Sequence, residues 1–176
     1  MHRHLRSVLI AVALPLVLGA CSSTAVPDDA PLPAAFDQGV PEPSGDVVLT
    51  VANDDASHDW DLATLGILDQ HDLTIFDQFA DAEHTYTGPL WRDVLRASGV
   101  DVDAGREVEL VALDDYVAEI PTDAETLRGV LLAYLQDGEE IAIADGGPIR
   151  LIFPDDNPAS ENVNNWIWSI RSARVI

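Results

Sequence analysis

Lysine is absent from this 176-residue chain, and nine arginines stand against 31 Asp and Glu, for a formal charge of −22 and an isoelectric point near 4.1. A surface that neutralises phosphates needs clustered cations, so nucleic-acid binding is excluded. Cysteine is almost absent. Cys21 stands alone, which rules out an intrachain disulfide and, in the body downstream of it, a thiolate zinc site or a cysteine nucleophile. His58, His71 and His84 show no HExxH or paired spacing, and there is no GxSxG, P-loop or GxGxxG in a strand–helix context. The acid pairs Asp54-Asp55, Asp114-Asp115 and Asp155-Asp156 lack EF-hand spacing and read as a solvated acidic surface, so no metal site is expected. What remains is a chain with 47% hydrophobic residues and a mean hydropathy of +0.08, enough to fill the core of one ordinary domain.

The one long apolar run lies at the start. MHRHLR carries Arg3 and Arg6 and no acid, and SVLIAVALPLVLGA follows. This run is shorter than the roughly 20 apolar residues a membrane span requires and has the layout of an export signal. Its end, Leu18-Gly19-Ala20-Cys21, resembles a bacterial lipobox. That resemblance implies that residues 1–20 are removed and that Cys21 carries a lipid; a plain secretory signal with a chance cysteine is the alternative. Either way the expected location is extracytoplasmic, in the lipidated case anchored to a bacterial membrane. Losing Arg3 and Arg6 with the leader takes the charge from −22 to −24. Residues 21–44, rich in Pro, Ser, Ala and Asp and without apolar periodicity, read as a tether, and residues 45–176 as the folded domain.

In that body, Asp46–Asp54 is β-branched and ends on Asn-Asp-Asp, a strand and turn. Asp61–Leu68 reads as a short helix. His71–Phe79 reads as a strand in which Leu73, Ile75 and Asp77 alternate against Thr74, Phe76 and Gln78. Thr87–Gly99 carries the clearest helix signal, with Pro89 in the first turn, Gly99 after the last, Leu90, Trp91, Val94 and Leu95 on one stripe, and Arg92, Asp93 and Arg96 expected to face water. Glu107–Tyr116 and Tyr116–Pro121 read as paired strands. Val130–Pro154 gives two or three more, broken at Asp137-Gly138 and at Asp145-Gly146-Gly147, and Asn164–Ile176 closes the chain as strand-like segments. Strands dominate, with two or three short helices, so the fold class is α+β.

Five segments, YTGPLWRDVLRASGV, DDYVAEIP, VLLAYLQDGEEI, DGGPIRLIFP and NNWIWSI, occur in the order and spacing of a known domain. From about Asp46 to Ile176 the chain resembles the sulfite oxidase-like, molybdopterin-binding oxidoreductase superfamily, and in particular its short exported members, built on one trimmed domain. The resemblance implies a mixed sheet with a few short helices. Its most specific part is Gly147-Pro148-Ile149-Arg150-Leu151-Ile152 with Pro154 and Trp166. Arg150 within the apolar IRLIF must either reach a carboxylate or line a cleft.

The same resemblance marks two departures. Catalytic members hold molybdenum through a cysteine ahead of the TGPLWRDVL-like helix, whereas Leu73–His84 contains none, and no oxygen donor replaces a soft thiolate. Where relatives are expected to grip the pterin phosphate with basic and glycine residues, Asp155–Asn165 offers Asp155, Asp156 and Glu161 and no cation. The expectation is therefore no cofactor, with molybdopterin held through non-cysteine contacts as the alternative. The cleft residues singled out are His84, Tyr86, Tyr116, Arg150, Asn164 and Trp166, and no catalytic residue is assigned. Trp166 and Trp168 alternate and would share a face, one in the core and one on the cleft rim. Three functions stay open: a membrane-tethered module binding an unidentified small molecule or envelope protein, a molybdopterin-dependent oxidoreductase with an unusual ligand set, and a structural envelope protein.

Overall fold

The computed structural model describes residues 30–176, so the expectations for residues 1–20, for Cys21 and for the first part of the tether lie outside the described residues. Eleven strands and three α-helices are described: β1 (Leu49–Ala52), β2 (Ser57–Trp60), α1 (Leu62–Leu65), β3 (Gln70–Asp77), β4 (Ala82–Pro89), α2 (Trp91–Ala97), β5 (Glu107–Ala112), β6 (Val117–Pro121), α3 (Ala124–Leu127), β7 (Leu131–Ala133), β8 (Leu135–Gln136), β9 (Glu139–Glu140), β10 (Arg150–Ile152) and β11 (Ile170–Val175). This is the α+β class expected from the sequence. A five-stranded sheet runs β2-β1-β11-β5-β6, a four-stranded sheet β3-β4-β8-β9, and β7 pairs with β10. The β1–β11 pairing is parallel and the others are antiparallel.

The alternation of the strands decides which face is buried. On β5 and β6, Val108, Leu110, Ala112, Ala118 and Ile120 point inward while their neighbours stay wetter, as expected for a sheet covered on one side. The main core collects these with Leu49, Val51, Trp60 and the apolar side of α2, where Trp91 is 1% exposed. β7 and β10 are buried along their whole length. A second, smaller core under the β3–β4 hairpin holds Ile75, Tyr86, Leu90, Leu131, Ile141 and Ile152.

Three expectations are corrected. The packed body begins before Gly45: Phe36 is buried and stacks on Trp60 with centroids 5.6 Å apart, and Leu32 and Val40 pack on the same core. Asp61 pins this segment, accepting hydrogen bonds from the Ser44 and Gly45 N–H groups, each at 2.7 Å. Second, Thr87–Pro89 closes β4 rather than opening a helix, because β4 pairs with β3 along eight residues up to Gln70 opposite Pro89. Third, Arg92 and Asp93 are buried. Asp93 pairs with Arg96 at 3.2 Å, and Arg96 donates onward to the Ala30 carbonyl at 3.0 Å. Burial pushes the Asp93 carboxyl up against the pull of Arg96.

Candidate functional site

The buried centre of the second core is ionic. Asp77, on the inward face at the end of β3, is 1% exposed, and Arg150, the first residue of β10, is 2% exposed. Asp77 Oδ1 accepts from the N–H groups of Phe79 at 2.8 Å and Ala80 at 3.3 Å, which folds the hairpin tip back. Asp77 Oδ2 accepts from the Tyr86 hydroxyl at 2.6 Å and lies 3.2 Å from Arg150 Nη2. Tyr86 is brought there by register, since it faces Leu73 across the β3–β4 ladder. Burial works against ionisation of Asp77, but the hydrogen bonds from Tyr86 and the Phe79 N–H, the Arg150 charge and the Ala80 N–H outweigh it and hold the carboxyl below its ordinary value. Burial pushes the Tyr86 hydroxyl up, reinforced by its bond to Asp77, and lowers Arg150 against the opposing pull of Tyr86 and Asp77. At neutral pH the cluster is an Asp–Arg pair with a neutral tyrosine.

Two aromatic planes complete it. The Arg150 guanidinium carbon lies 4.5 Å from the Trp168 ring centroid and 5.3 Å from that of Tyr86, close enough for cation–π attraction. Phe79 stands edge-on to Trp168 at 5.2 Å. Arg150 Nη1 makes two long contacts, 3.4 Å each, to Tyr86 Oη and the Asp145 carbonyl, while Arg150 Nε and Trp168 Nε1 have no hydrogen-bond partner among the described residues. Outside this plug lies a cavity of about 240 Å³ lined by Asp77, Tyr86, Gln136, Asp145, Arg150 and Trp168 among others. The DGGP motif makes this close packing possible. Gly146 takes φ +90°, with a Cβ there reaching 3.0 Å from the Trp168 ring, and a Cβ on Gly147 would overlap the Ile141 carbonyl.

Of the residues singled out from sequence, Tyr86 and Arg150 meet directly. His84 stands behind them, its ring 6.2 Å from that of Tyr86 and its Nδ1 2.7 Å from Asp137 Oδ2. Asp137 is itself fixed by the positive-φ turn Asp137-Gly138 and by the Thr85 N–H. Trp166 reaches the cluster through Phe79, with centroids 6.2 Å apart, and donates Nε1–H to the Ser160 carbonyl at 2.8 Å. Tyr116 and Asn164 pair with each other instead: the tyrosine hydroxyl donates to the Asn164 carbonyl at 3.3 Å. Trp166 and Trp168 precede β11 rather than alternating within it, and both are half-buried against Phe79.

Sequence reasoning missed Asp77, Phe79, Gln136 and Asp145 as site residues. A signal existed for the first: a carboxylate in phase with Leu73 and Ile75 on the buried side of a strand calls for a partner, as does Arg150 within IRLIF.

The oxidoreductase molybdopterin binding domain model matches residues 69–173. No curated protein matches the chain. Among solved structures, the crystal structure of the sulfane dehydrogenase SoxCD from Paracoccus pantotrophus is similar with a TM-score of 0.58 at 17% identity. The match covers 78% of this chain and 40% of that one, and at such identity the likeness concerns the fold alone. The family match spans the hairpin, α2, the Arg150 strand and most of β11, so the chain belongs to the oxidoreductase molybdopterin-binding domain family.

Proposed function

We propose that the protein is a membrane-tethered, extracytoplasmic lipoprotein, anchored through Cys21, whose molybdopterin-oxidoreductase-like domain serves as a ligand- or partner-binding module without cofactor. The observation that carries this reading is Asp77. It sits in the Leu73–His84 stretch, where the catalytic pattern calls for the metal thiolate, and both its oxygens are already engaged by Phe79, Ala80, Tyr86 and Arg150. The surrounding residues fit the cofactor no better. The sequence beyond Cys21 supplies no thiolate, and no three His, Asp or Glu converge as a donor set among the described residues. Asp155–Asn165 holds no cation of its own, and Arg128, which reaches it, is taken up by Asp156, at 2.9 Å to the carboxylate and 2.7 Å to the carbonyl.

Elemental analysis and pterin fluorescence test the reading, on residues 22–176 exported folded from a host that makes molybdopterin. The expected result is neither molybdenum nor pterin in a folded protein. Molybdenum near one equivalent would replace it with the alternative, an oxidoreductase that holds molybdopterin through non-cysteine contacts. Incorporation of labelled lipid into the wild-type chain but not into Cys21→Ser tests the anchor.

A further inference from the structure

The 3₁₀ turn Ile143–Asp145, exposed along its whole length, stands as a ridge in the cleft. Three hollows run around it. One of about 360 Å³ lies between Leu113, Asp114, Ile143 and Trp168. The 240 Å³ cavity over Arg150 comes next and shares Ala144 and Trp168 with the first. A third, of about 270 Å³, is bounded by Asp137, Glu139, Glu140 and Ala142 and shares Gln136 and Asp145 with the second. Linked by these common lining residues, they follow one another along one face as a broken groove.

Two kinds of group line this groove. Ile143, Leu113 and Phe79 are 62%, 49% and 43% exposed, an apolar strip of the kind that marks a contact surface when it is ringed by polar residues. The ring is acidic: Asp114, Asp137, Glu139, Glu140 and Asp145. The groove's one cationic lining residue, Arg150, is buried and neutralised by Asp77. These carboxylates are strung along the groove and do not converge on a point, since no metal-holding group of three forms among the described residues. Their field suits charges spread along a chain. Beneath them, Arg150 Nη1 has only its two 3.4 Å contacts among the described residues, whereas Arg150 Nε and Trp168 Nε1 are closed off from the surface. A donor held only by long contacts gains from a closer acceptor, so Nη1 at the floor of the groove suits a carbonyl oxygen.

We infer that this groove docks an extended, basic polypeptide segment of a partner protein. Backbone carbonyls of the segment face the Arg150–Trp168 floor, an apolar side chain packs on Ile143 and Leu113, and Lys or Arg side chains reach Asp114 on one side and Glu139 and Glu140 on the other. The inference rests on the binding-module reading and adds the chemistry of the partner.

The test uses residues 22–176, which contain every described element, and a dye-labelled, end-blocked nonapeptide of lysine, leucine and glycine, followed by fluorescence anisotropy at about 0.15 M salt. Saturable binding is expected, and none for the same peptide with glutamate in place of lysine. Ile143→Ser, and Glu139→Gln with Glu140→Gln, each weaken binding about tenfold. Phe76→Ser and Asp101→Asn, exposed positions that do not line the groove, leave it unchanged. Equal losses in those two controls, equal binding of the glutamate peptide, or no saturable binding would overturn the inference. Molybdenum in the same sample would instead overturn the reading beneath it.

Discussion

Removing the Asp77 carboxylate probes the buried centre most directly. Asp77→Ala deletes the charge 3.2 Å from Arg150, the acceptor of the 2.6 Å Tyr86 bond and the acceptor of two backbone N–H groups. A hydrogen bond to a charged group contributes about 1.5–3 kcal/mol, and an uncompensated buried charge left by its partner costs about 3–5 kcal/mol in all. Against a total stability of about 5–15 kcal/mol, that is a large share. In urea, with a slope of about 2 kcal/mol per molar, the midpoint should fall by about 2 M with the slope unchanged. Asp77→Leu combined with Arg150→Met should cost less than the two single changes added together, because the pair then leaves as a unit. The pH dependence has a definite sign. The folded carboxyl titrates below its unfolded value of about 3.9, so its stabilisation is complete above that pH and is lost as the pH falls through the folded value. The gap between wild type and Asp77→Ala should therefore be constant through neutrality and close below about pH 4. A loss under about 1 kcal/mol, or an additive cycle, would refute the buried pair as the organising contact of this core.

Further outcomes follow from other contacts. Asp61→Ala removes the cap of α1 and the tie to Ser44 and Gly45, and should cost about 2 kcal/mol in the same urea assay. Thr64, then the Gly45 and Ser44 N–H groups, hold its carboxyl well below the ordinary value, so this difference too should persist at neutral pH and vanish only in strong acid. Phe36→Ala should cost about 3 kcal/mol by thermal or urea unfolding, whereas a free tether would register nothing. Gly147→Ala forces a methyl into the Ile141 carbonyl and should lower the melting temperature sharply, with loss of the near-ultraviolet signal of Trp168.

Much of the architecture was legible because single strands obey the two-residue repeat. On β3, Ile75 and Asp77 are buried while Thr74 and Phe76 are exposed, the alternation read from sequence. β4 was not legible in that way: in AEHTYTGP only Tyr86 is a large apolar residue, and its strand character comes from pairing with β3. Pro89 and Gly88, both at home near a helix start, close that strand instead. The segment before Gly45 was misread because five prolines and scattered acids hide one phenylalanine, and the Trp60 face that receives it is a tertiary feature. The site was half legible. Arg150 and Asp77 each stand out as a charge within an apolar pattern, but that they meet depends on β7, which pairs with β10 and packs on β4 of the hairpin, and no local spacing encodes that.

The order β2-β1-β11-β5-β6 puts the last strand of the chain in the middle of the main sheet, with Thr50 opposite Ser172 across 122 positions. A chain synthesised from its N-terminus therefore cannot close its sheet early. β1 and β2 can form only a two-stranded ribbon, marginal in water, until residues 170–175 arrive. Such long-range pairing folds on the millisecond-to-second scale. A cut or a premature stop ahead of Ile170 would remove the sheet's central strand rather than trim its edge.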